Sequence, residues 1–171
     1  MLCKKAYTNT MKRTSSSRTK QIIAFVIALL VPLAVGGIGS LVTISEIPNW
    51  YTTIAKPNLN PPNWLFGPVW TLLYVLMGIS LFLIWRQHRA RHKAYIVFAV
   101  QLLLNLAWSV VFFGFHQLWL AFIVIVALAL AIVVTIKAFL PLSRAAALLL
   151  APYLAWVIFA SSLNLSIAIL N

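Results

Sequence analysis

Polar and aromatic residues recur at helical spacing within otherwise apolar stretches of the chain. The clearest set has offsets of i, i+4, i+7, i+8 and i+11, which place side chains on one face of a helix: Gln101, Asn105, Trp108, Ser109 and Phe112. Two further stripes have helical spacing: Trp70, Tyr74 and Gly78, and Pro152, Trp156, Ala160 and Asn164. An unpaired amide is costly in hydrocarbon, so Asn105 and Asn164 must face protein, water or ligand.

These stripes allow two interpretations. Amides and small residues commonly hold membrane helices together, which would make the stripes packing surfaces. Alternatively, the three faces could enclose a cavity, because they overlap in depth. A flat aromatic ligand would fit between Trp70, Trp108 and Trp156, and the small Ala160 would leave it room.

The residue types that acid–base and hydrolytic enzymes need are missing. Glu46 is the single acidic residue, so neither a carboxylate pair nor a Ser-His-Asp triad can form. His88 and His92 have an i, i+4 spacing, but their Arg and Lys neighbours would repel a cation, so we expect no metal site. His116 and Lys56 could pair with an anionic group of a ligand or act as ordinary interfacial residues. The pattern favours a binding protein without a cofactor over an enzyme.

The composition requires lipid as the main solvent. Hydrophobic residues make up 63% of the chain and charged residues only 8%. Five apolar runs have about the ~20 residues that span a bilayer, at 21–43, 65–85, 94–114, 118–139 and 145–169. The sequence therefore predicts an all-α membrane protein, with a bundle of five transmembrane helices over 21–171. Residues 1–20 are basic and rich in Ser and Thr, which predicts a disordered tail, or alternatively a targeting segment.

The distribution of the net charge of +12 predicts the orientation of the helices. Basic residues are concentrated in the tail, in 86–93 and in 137–144. Such residues flank apolar spans on the cytoplasmic side, so the N-terminus should be cytoplasmic, in a bacterial inner membrane or an organellar membrane. The same distribution argues against nucleic-acid binding. The connections at 44–64 and 115–117 should lie together on the opposite side.

The 44–64 connection is long and rich in proline and aromatic residues. It contains Pro48, Pro57, Pro61 and Pro62, with Trp50, Tyr51 and Trp64 between them. Proline restricts the backbone, and aromatic rings favour the membrane interface. The connection could therefore cover a cavity or simply anchor the bundle at the interface.

The motifs on these segments resemble the TspO/MBR family over about residues 21–171. They are Trp50-Tyr51, Lys56-Pro57, Pro61-Pro62, Gly67-Pro68-Val69-Trp70-Thr71, Tyr74, Met77-Gly78, Asn105, Ala107-Trp108-Ser109, Phe112-Phe113-Gly114, Pro152-Tyr153-Leu154-Ala155-Trp156, Phe159-Ala160 and Leu163-Asn164. The sequence departs from the family at Leu59, where a Trp is usual, and lacks the C-terminal sterol motif of animal members.

The resemblance implies five tightly packed helices, a homodimer, and a pocket beneath the first connection. That pocket would bind porphyrins such as protoporphyrin IX or other hydrophobic molecules, through residues matched by motif: Tyr51, Pro61, Trp70, Asn105, Trp108, Ser109, Trp156 and Ala160. The implied function is a membrane receptor or sensor in tetrapyrrole regulation or transport. Two alternatives are a light-dependent porphyrin-degrading enzyme, with Trp70 and Trp156 as its catalytic residues, and a lipid, sterol or porphyrin transporter.

Overall fold

The computed structural model describes residues 2–87 and 92–171, with side chains from Arg18 onward. Within these ranges the chain is helical apart from short connections, and it contains no strand. The helices are α1 (Leu2–Glu46), α2 (Trp50–Thr53), α3 (Asn63–Trp85), α4 (His92–Ser109), α5 (Leu118–Phe139), α6 (Arg144–Leu148) and α7 (Ala151–Leu170). Helix α4 continues as a π-helical turn over Val110–Gly114.

Five segments of the described chain are long and apolar enough to cross a membrane, which confirms the predicted all-α fold of five transmembrane helices. They are Arg18–Glu46, Asn63–Trp85, His92–Gly114, Leu118–Phe139 and Arg144–Leu170. Hydrocarbon offers no partner for backbone amides, so each apolar run must satisfy its own hydrogen bonds as a helix. The predicted ends agree with these bounds to within a few residues.

The basic N-terminal segment is continuous with the first helix, and one residue of the histidine pair lies outside the described chain. Helix α1 is continuous from Leu2, so its backbone extends through the basic segment ahead of residue 21. The division into a disordered tail at 1–20 and a domain at 21–171 stays a prediction. His88 lies outside the described residues, so the predicted absence of a metal site at His88 and His92 also stays a prediction.

Pro152 divides the last span into α6 and α7, where the sequence predicted one helix over 145–169. Proline has no backbone N–H, so the bond from residue 152 to the Leu148 carbonyl cannot form. The preceding turn tightens instead, with Leu150 N donating to Ala147 O at 3.1 Å. Regular helix resumes when Leu154 N donates to Leu150 O at 3.0 Å.

Helices α1 and α3 pack with their backbones in close approach at Gly78. A Cβ atom at this position would lie 2.8 Å from Leu29 Cα and 2.9 Å from Ala28 O. Only glycine fits without moving the α1 backbone, and such small-residue contacts are typical of helix association in membranes. Gly78 belonged to the predicted stripe on this helix, and it serves helix packing.

The loop at residues 47–62, here called the cap loop, is fixed to the ends of the bundle. Ala55 N donates to Asn171 Oδ1 at 3.0 Å, and Asn171 Nδ2 donates to Ala55 O at 3.0 Å. Trp50 stacks on His116 with ring centroids 4.1 Å apart, and His116 Nε2 lies 3.0 Å from Glu46 Oε2. The two connections predicted to share one side therefore lie at the same end of the bundle. Which side of the membrane this end faces stays a prediction.

Candidate functional site

A cavity of about 400 Å³ lies beneath the cap loop, between α1, α3, α4 and α7. Its wall is predominantly apolar and aromatic, with a few hydroxyl and amide groups. Every transmembrane helix except α5 contributes to it. Its lining includes Gly36, Gly37, Ser40, Tyr51, Phe66, Gly67, Trp70, Thr71, Tyr74, Trp108, Ser109, Ala160 and Asn164.

Stacked aromatic rings form one side of the cavity. The rings of Trp70 and Trp108 lie 6.1 Å apart at 28°, and those of Trp70 and Tyr74 lie 5.8 Å apart at 30°. Near-parallel rings at this separation are offset-stacked, and all three rings line the cavity. Trp70 belongs to α3 and Trp108 to α4, so this surface depends on the packing of two different spans.

Buried hydrogen bonds hold these rings in place from behind. Tyr74 OH donates to Asn105 Oδ1 at 2.7 Å, and Asn105 Nδ2 donates to Tyr153 OH at 3.0 Å. Trp108 Nε1 donates to Asn164 Oδ1 at 3.1 Å. The side-chain amides of Asn105 and Asn164 thus have protein partners, as expected if these residues hold the helices together. Because two of these partners, Tyr74 and Trp108, are rings of the cavity wall, the same bonds also fix the shape of the cavity.

Comparison with known proteins decides the family of the chain. The model of the TspO/MBR family matches residues 28–170. This chain belongs to the TspO/MBR family. It is 44% identical over 153 residues to the Tryptophan-rich protein TspO of Archaeoglobus fulgidus, covering 88% of this chain and 98% of the relative. It is 44% identical over 156 residues to the protein of the same name from Chlorobaculum tepidum, covering 89% and 98%. It is 37% identical over 131 residues to the human Translocator protein, covering 74% and 78%.

Membership of the TspO/MBR family agrees with the fold. The family match covers most of the first apolar helix and the other four. The chain is a multi-pass integral membrane protein. The motifs that carried the resemblance contribute both the aromatic wall and the hydrogen-bonded residues behind it.

Five of the eight residues predicted by motif line the cavity of this TspO/MBR chain: Tyr51, Trp70, Trp108, Ser109 and Ala160. Asn105 lies behind the wall, where it positions Tyr74. Pro61 belongs to the cap loop and stands outside the lining. The ligand contacts of all eight residues stay predictions.

Trp156 also stands outside the cavity wall. Its ring packs against Phe66 at 6.1 Å and Phe159 at 5.6 Å, and Phe66 itself lines the cavity. The buried Trp156 Nε1 has no hydrogen-bond partner among the described residues. The sequence placed Trp156 on the same face of α7 as Ala160. In the structure the buried residues next to Ala160 are Tyr153 and Val157, on one side of it, and Trp156 lies on the other side. Trp156 and Val157 are neighbours in the chain and each lies about one helical turn before Ala160. Spacing alone therefore could not predict which of the two is buried.

The contribution of α1 to the cavity was missed by the sequence analysis. Gly36, Gly37 and Ser40 line it, and a Cβ atom at Gly36 would collide with the ring of Tyr74. The Gly36-Gly37-x-Gly39 cluster within an apolar span was the available signal, because small residues mark close helix contacts. At Gly37 an added Cβ would meet nothing within 4 Å, so neighbouring glycines have different surroundings.

The cavity wall is exposed along one side of the bundle. Gly37 on α1 and Gly67 and Thr71 on α3 are exposed residues of the lining. Thr71 lies ~12 Å along α3 from its start at Asn63, which is within the hydrocarbon depth. The cavity therefore opens between α1 and α3 on the side of the bundle that faces lipid.

The two candidate cations at the cap-loop end have different surroundings. His116 is held between Glu46 and the Trp50 ring. Lys56 Nζ lies 4.8 Å from the centroid of the Tyr51 ring and has no carboxylate partner in the described chain. Lys56 is thus the cation that remains available to an anionic group near the cavity.

The Tyr51 side chain closes the cavity toward the cap loop. Its hydroxyl donates to Asn60 Oδ1 at 2.8 Å. Burial raises the pKa of the Tyr51 phenol, and the hydrogen bond to Asn60 lowers it by a smaller amount. The phenol is therefore neutral near pH 7, and its ring can accept the Lys56 ammonium as a cation–π partner.

Proposed function

We propose that this chain is a membrane receptor or sensor that binds a flat, hydrophobic tetrapyrrole such as protoporphyrin IX beneath the cap loop. The observation that carries the proposal is the stacked pair of Trp70 and Trp108 in the wall of the cavity. The names of relatives, Tryptophan-rich sensory protein and Translocator protein, are consistent with sensing or transport of a small molecule.

The size and chemistry of the cavity support a ligand of this class. Its volume of about 400 Å³ lies within the range of small-molecule pockets, which are typically lined by apolar and aromatic groups. A planar conjugated ring system gains both apolar burial and offset stacking against Trp70 and Trp108. Ala160, on the α7 side, leaves space where a larger side chain would occupy the cavity.

Lys56 supports an anionic ligand over a neutral one. Porphyrins such as protoporphyrin IX combine an apolar ring with carboxylate side groups. Such a molecule could bury its ring in the cavity and direct its carboxylates toward the Lys56 ammonium at the cap-loop end. An exposed ion pair of this kind contributes about 1 kcal/mol or less, so it would orient the ligand more than it would raise affinity.

Light-dependent porphyrin degradation is the second candidate function, and the position of Trp70 favours it. An indole in the wall would stand beside a photoexcited porphyrin and could exchange an electron with it. Trp156 is separated from the cavity by Phe66, so a direct part for it in this reaction requires Phe66 to move. Oxygen-dependent bleaching that is lost in Trp70→Phe would support this enzyme activity.

Transport of a porphyrin or lipid is the third candidate, and the exposed wall at Gly37 and Gly67 favours it. Ligand flux into liposomes that contain the purified protein would support it. We also infer a homodimer, from the family resemblance, which light scattering in detergent tests. A cytoplasmic N-terminus follows from the basic residues, and a terminal reporter fusion tests that inference.

A protoporphyrin IX titration of the detergent-purified protein in the dark, followed by tryptophan fluorescence, tests the binding proposal. We expect saturable quenching, with affinity about two- to tenfold weaker in Trp70→Leu, because an aromatic pair is worth about 0.5–1.5 kcal/mol. Trp119→Leu is the matched control, since Trp119 is exposed and lies outside the cavity. Absence of saturable quenching, or equal effects of the two substitutions, would reject the proposal.

A further inference from the structure

A second groove lies at the end of the bundle opposite the cap loop. It has a volume of about 420 Å³ and lies between α1, α3 and α4. Its apolar floor consists of five residues: Ile23, Ala24, Ile27, Ala28 and Leu81. Lys20, Trp85 and Tyr95 complete its wall. It shares no lining residue with the cavity beneath the cap loop.

The three polar groups of this groove are hydrogen-bond donors without partners. The Lys20 ammonium, the Trp85 indole N–H and the Tyr95 hydroxyl make no hydrogen bond or ion pair with the described part of the chain. An ammonium and an indole N–H can only donate, and a phenol can do so. A phosphate group, which is rich in acceptor atoms, suits all three donors.

The charge at this end of the bundle favours an anion. Glu46 is the only acidic residue of the chain, and it lies 26 residues from Lys20 along α1, or ~39 Å away. No carboxylate therefore competes for the Lys20 ammonium. Arg86, next to Trp85 at the end of α3, would attract an anionic head group and repel the quaternary ammonium of a zwitterionic one.

The shape of the groove matches an amphiphile. Lysine, tryptophan and tyrosine at the ends of spans lie at the level of lipid head groups. From Lys20 the floor follows α1 to Ala28, a length of ~12 Å toward the centre of the bilayer. Ile23 and Ile27 are exposed along this path, where an acyl chain can cover them.

We propose that this groove is a binding site for an anionic glycerophospholipid of the phosphatidylglycerol class. The phosphate accepts hydrogen bonds from Lys20, Trp85 and Tyr95, and one acyl chain lies along Ile23, Ile27 and Leu81. The lipid joins α1 to α3 and α4 at the end of the bundle that the cap loop does not cover. This site does not depend on the ligand proposed for the other cavity.

Native mass spectrometry of the delipidated full-length protein tests the proposal. The protein is incubated with equal amounts of phosphatidylglycerol and phosphatidylcholine with the same acyl chains, and bound lipids are counted. We expect phosphatidylglycerol to be preferred, and Lys20→Gln to lower that preference about fivefold. Tyr95→Phe should lower it less, because it removes a neutral donor. Ala24→Phe should block the acyl chain while leaving every charge in place.

Lys93→Gln is the matched control, since it removes one charge at the same end without altering the groove lining. We expect it to keep most of the preference for phosphatidylglycerol. Glycerol phosphate, which has the head-group chemistry without acyl chains, should not compete at equal concentration. Equal binding of the two lipids by the wild-type chain would overturn the proposal. So would equal effects of Lys93→Gln and Lys20→Gln, or unchanged binding in Ala24→Phe.

Discussion

The substitution Gly36→Ala tests whether α1 and the aromatic wall fit together as the structure describes. Gly36 lines the cavity opposite Tyr74, and a Cβ atom there would lie 2.6 Å from Tyr74 Cδ2 and 2.7 Å from Tyr74 Cζ. The Tyr74 ring has little freedom to yield. Its hydroxyl is bonded to Asn105 at 2.7 Å, and its face stacks on Trp70 at 5.8 Å.

The magnitude of the effect follows from three contributions. Overpacking of a close contact costs about 1–3 kcal/mol. Relief of this contact moves the Tyr74 ring, so the buried Asn105 amide loses a partner, which costs about 1–3 kcal/mol more. Alanine recovers about 1 kcal/mol over glycine through helix propensity. We therefore expect Gly36→Ala to lower the free energy of unfolding by about 1–5 kcal/mol and to weaken porphyrin binding, because Trp70 loses its stacked neighbour.

Gly37→Ala is the matched control for this prediction. It adds the same methyl group to the same helix, one residue further, where nothing lies within 4 Å. We expect unchanged or slightly higher stability, by up to about 1 kcal/mol. Thermal unfolding in detergent and protoporphyrin IX titration of both variants provide the comparison. Indistinguishable stability and affinity of the two variants would refute the packing of Gly36 against Tyr74.

Three further predictions concern the wall, its exposed side and the cap loop. Asn164→Leu removes the acceptor of the Trp108 indole N–H, so thermal unfolding should show a loss of about 1–3 kcal/mol, and unchanged stability would contradict the bond. Gly67→Leu should slow porphyrin association in stopped-flow mixing while leaving stability unchanged, because its Cβ meets nothing within 4 Å. An unchanged association rate would mean that the ligand does not enter past Gly67. Glu46→Gln removes the carboxylate that lies 3.0 Å from His116 Nε2 and should speed ligand release, while changing stability by less than about 1 kcal/mol. Unchanged release would mean that this pair does not hold the cap loop.

The number of helices could be predicted because lipid leaves the backbone few alternatives. An apolar run of spanning length must be helical, so counting such runs gave the fold. The break before Pro152 was harder to predict, because membrane helices tolerate proline, and Pro32 and Pro68 lie inside continuous helices here. The sequences around the three prolines do not show which of them interrupts its helix.

The candidate site could be predicted only in part, because spacing places residues on a helix face without fixing where that face points. Trp70 and Trp108 line the cavity, whereas Asn105, one turn from Trp108, lies behind it. Trp156 lies on the flank of α7 that the cavity does not use. The wall formed by α1 gave little signal, since Gly36 has no side chain with which to mark a site.

Ligand binding in the cavity beneath the cap loop is tested most directly by the dissociation constant of protoporphyrin IX for Ala160→Phe, compared with Ala155→Phe. Ala160 is buried in the cavity wall, and Ala155 is exposed on the same helix outside the cavity. A phenyl ring at position 160 would occupy the space assigned to the ligand. We expect at least a tenfold weaker affinity for Ala160→Phe, with a similar unfolding temperature, and no change for Ala155→Phe. Wild-type affinity in a folded Ala160→Phe variant would contradict binding in this cavity.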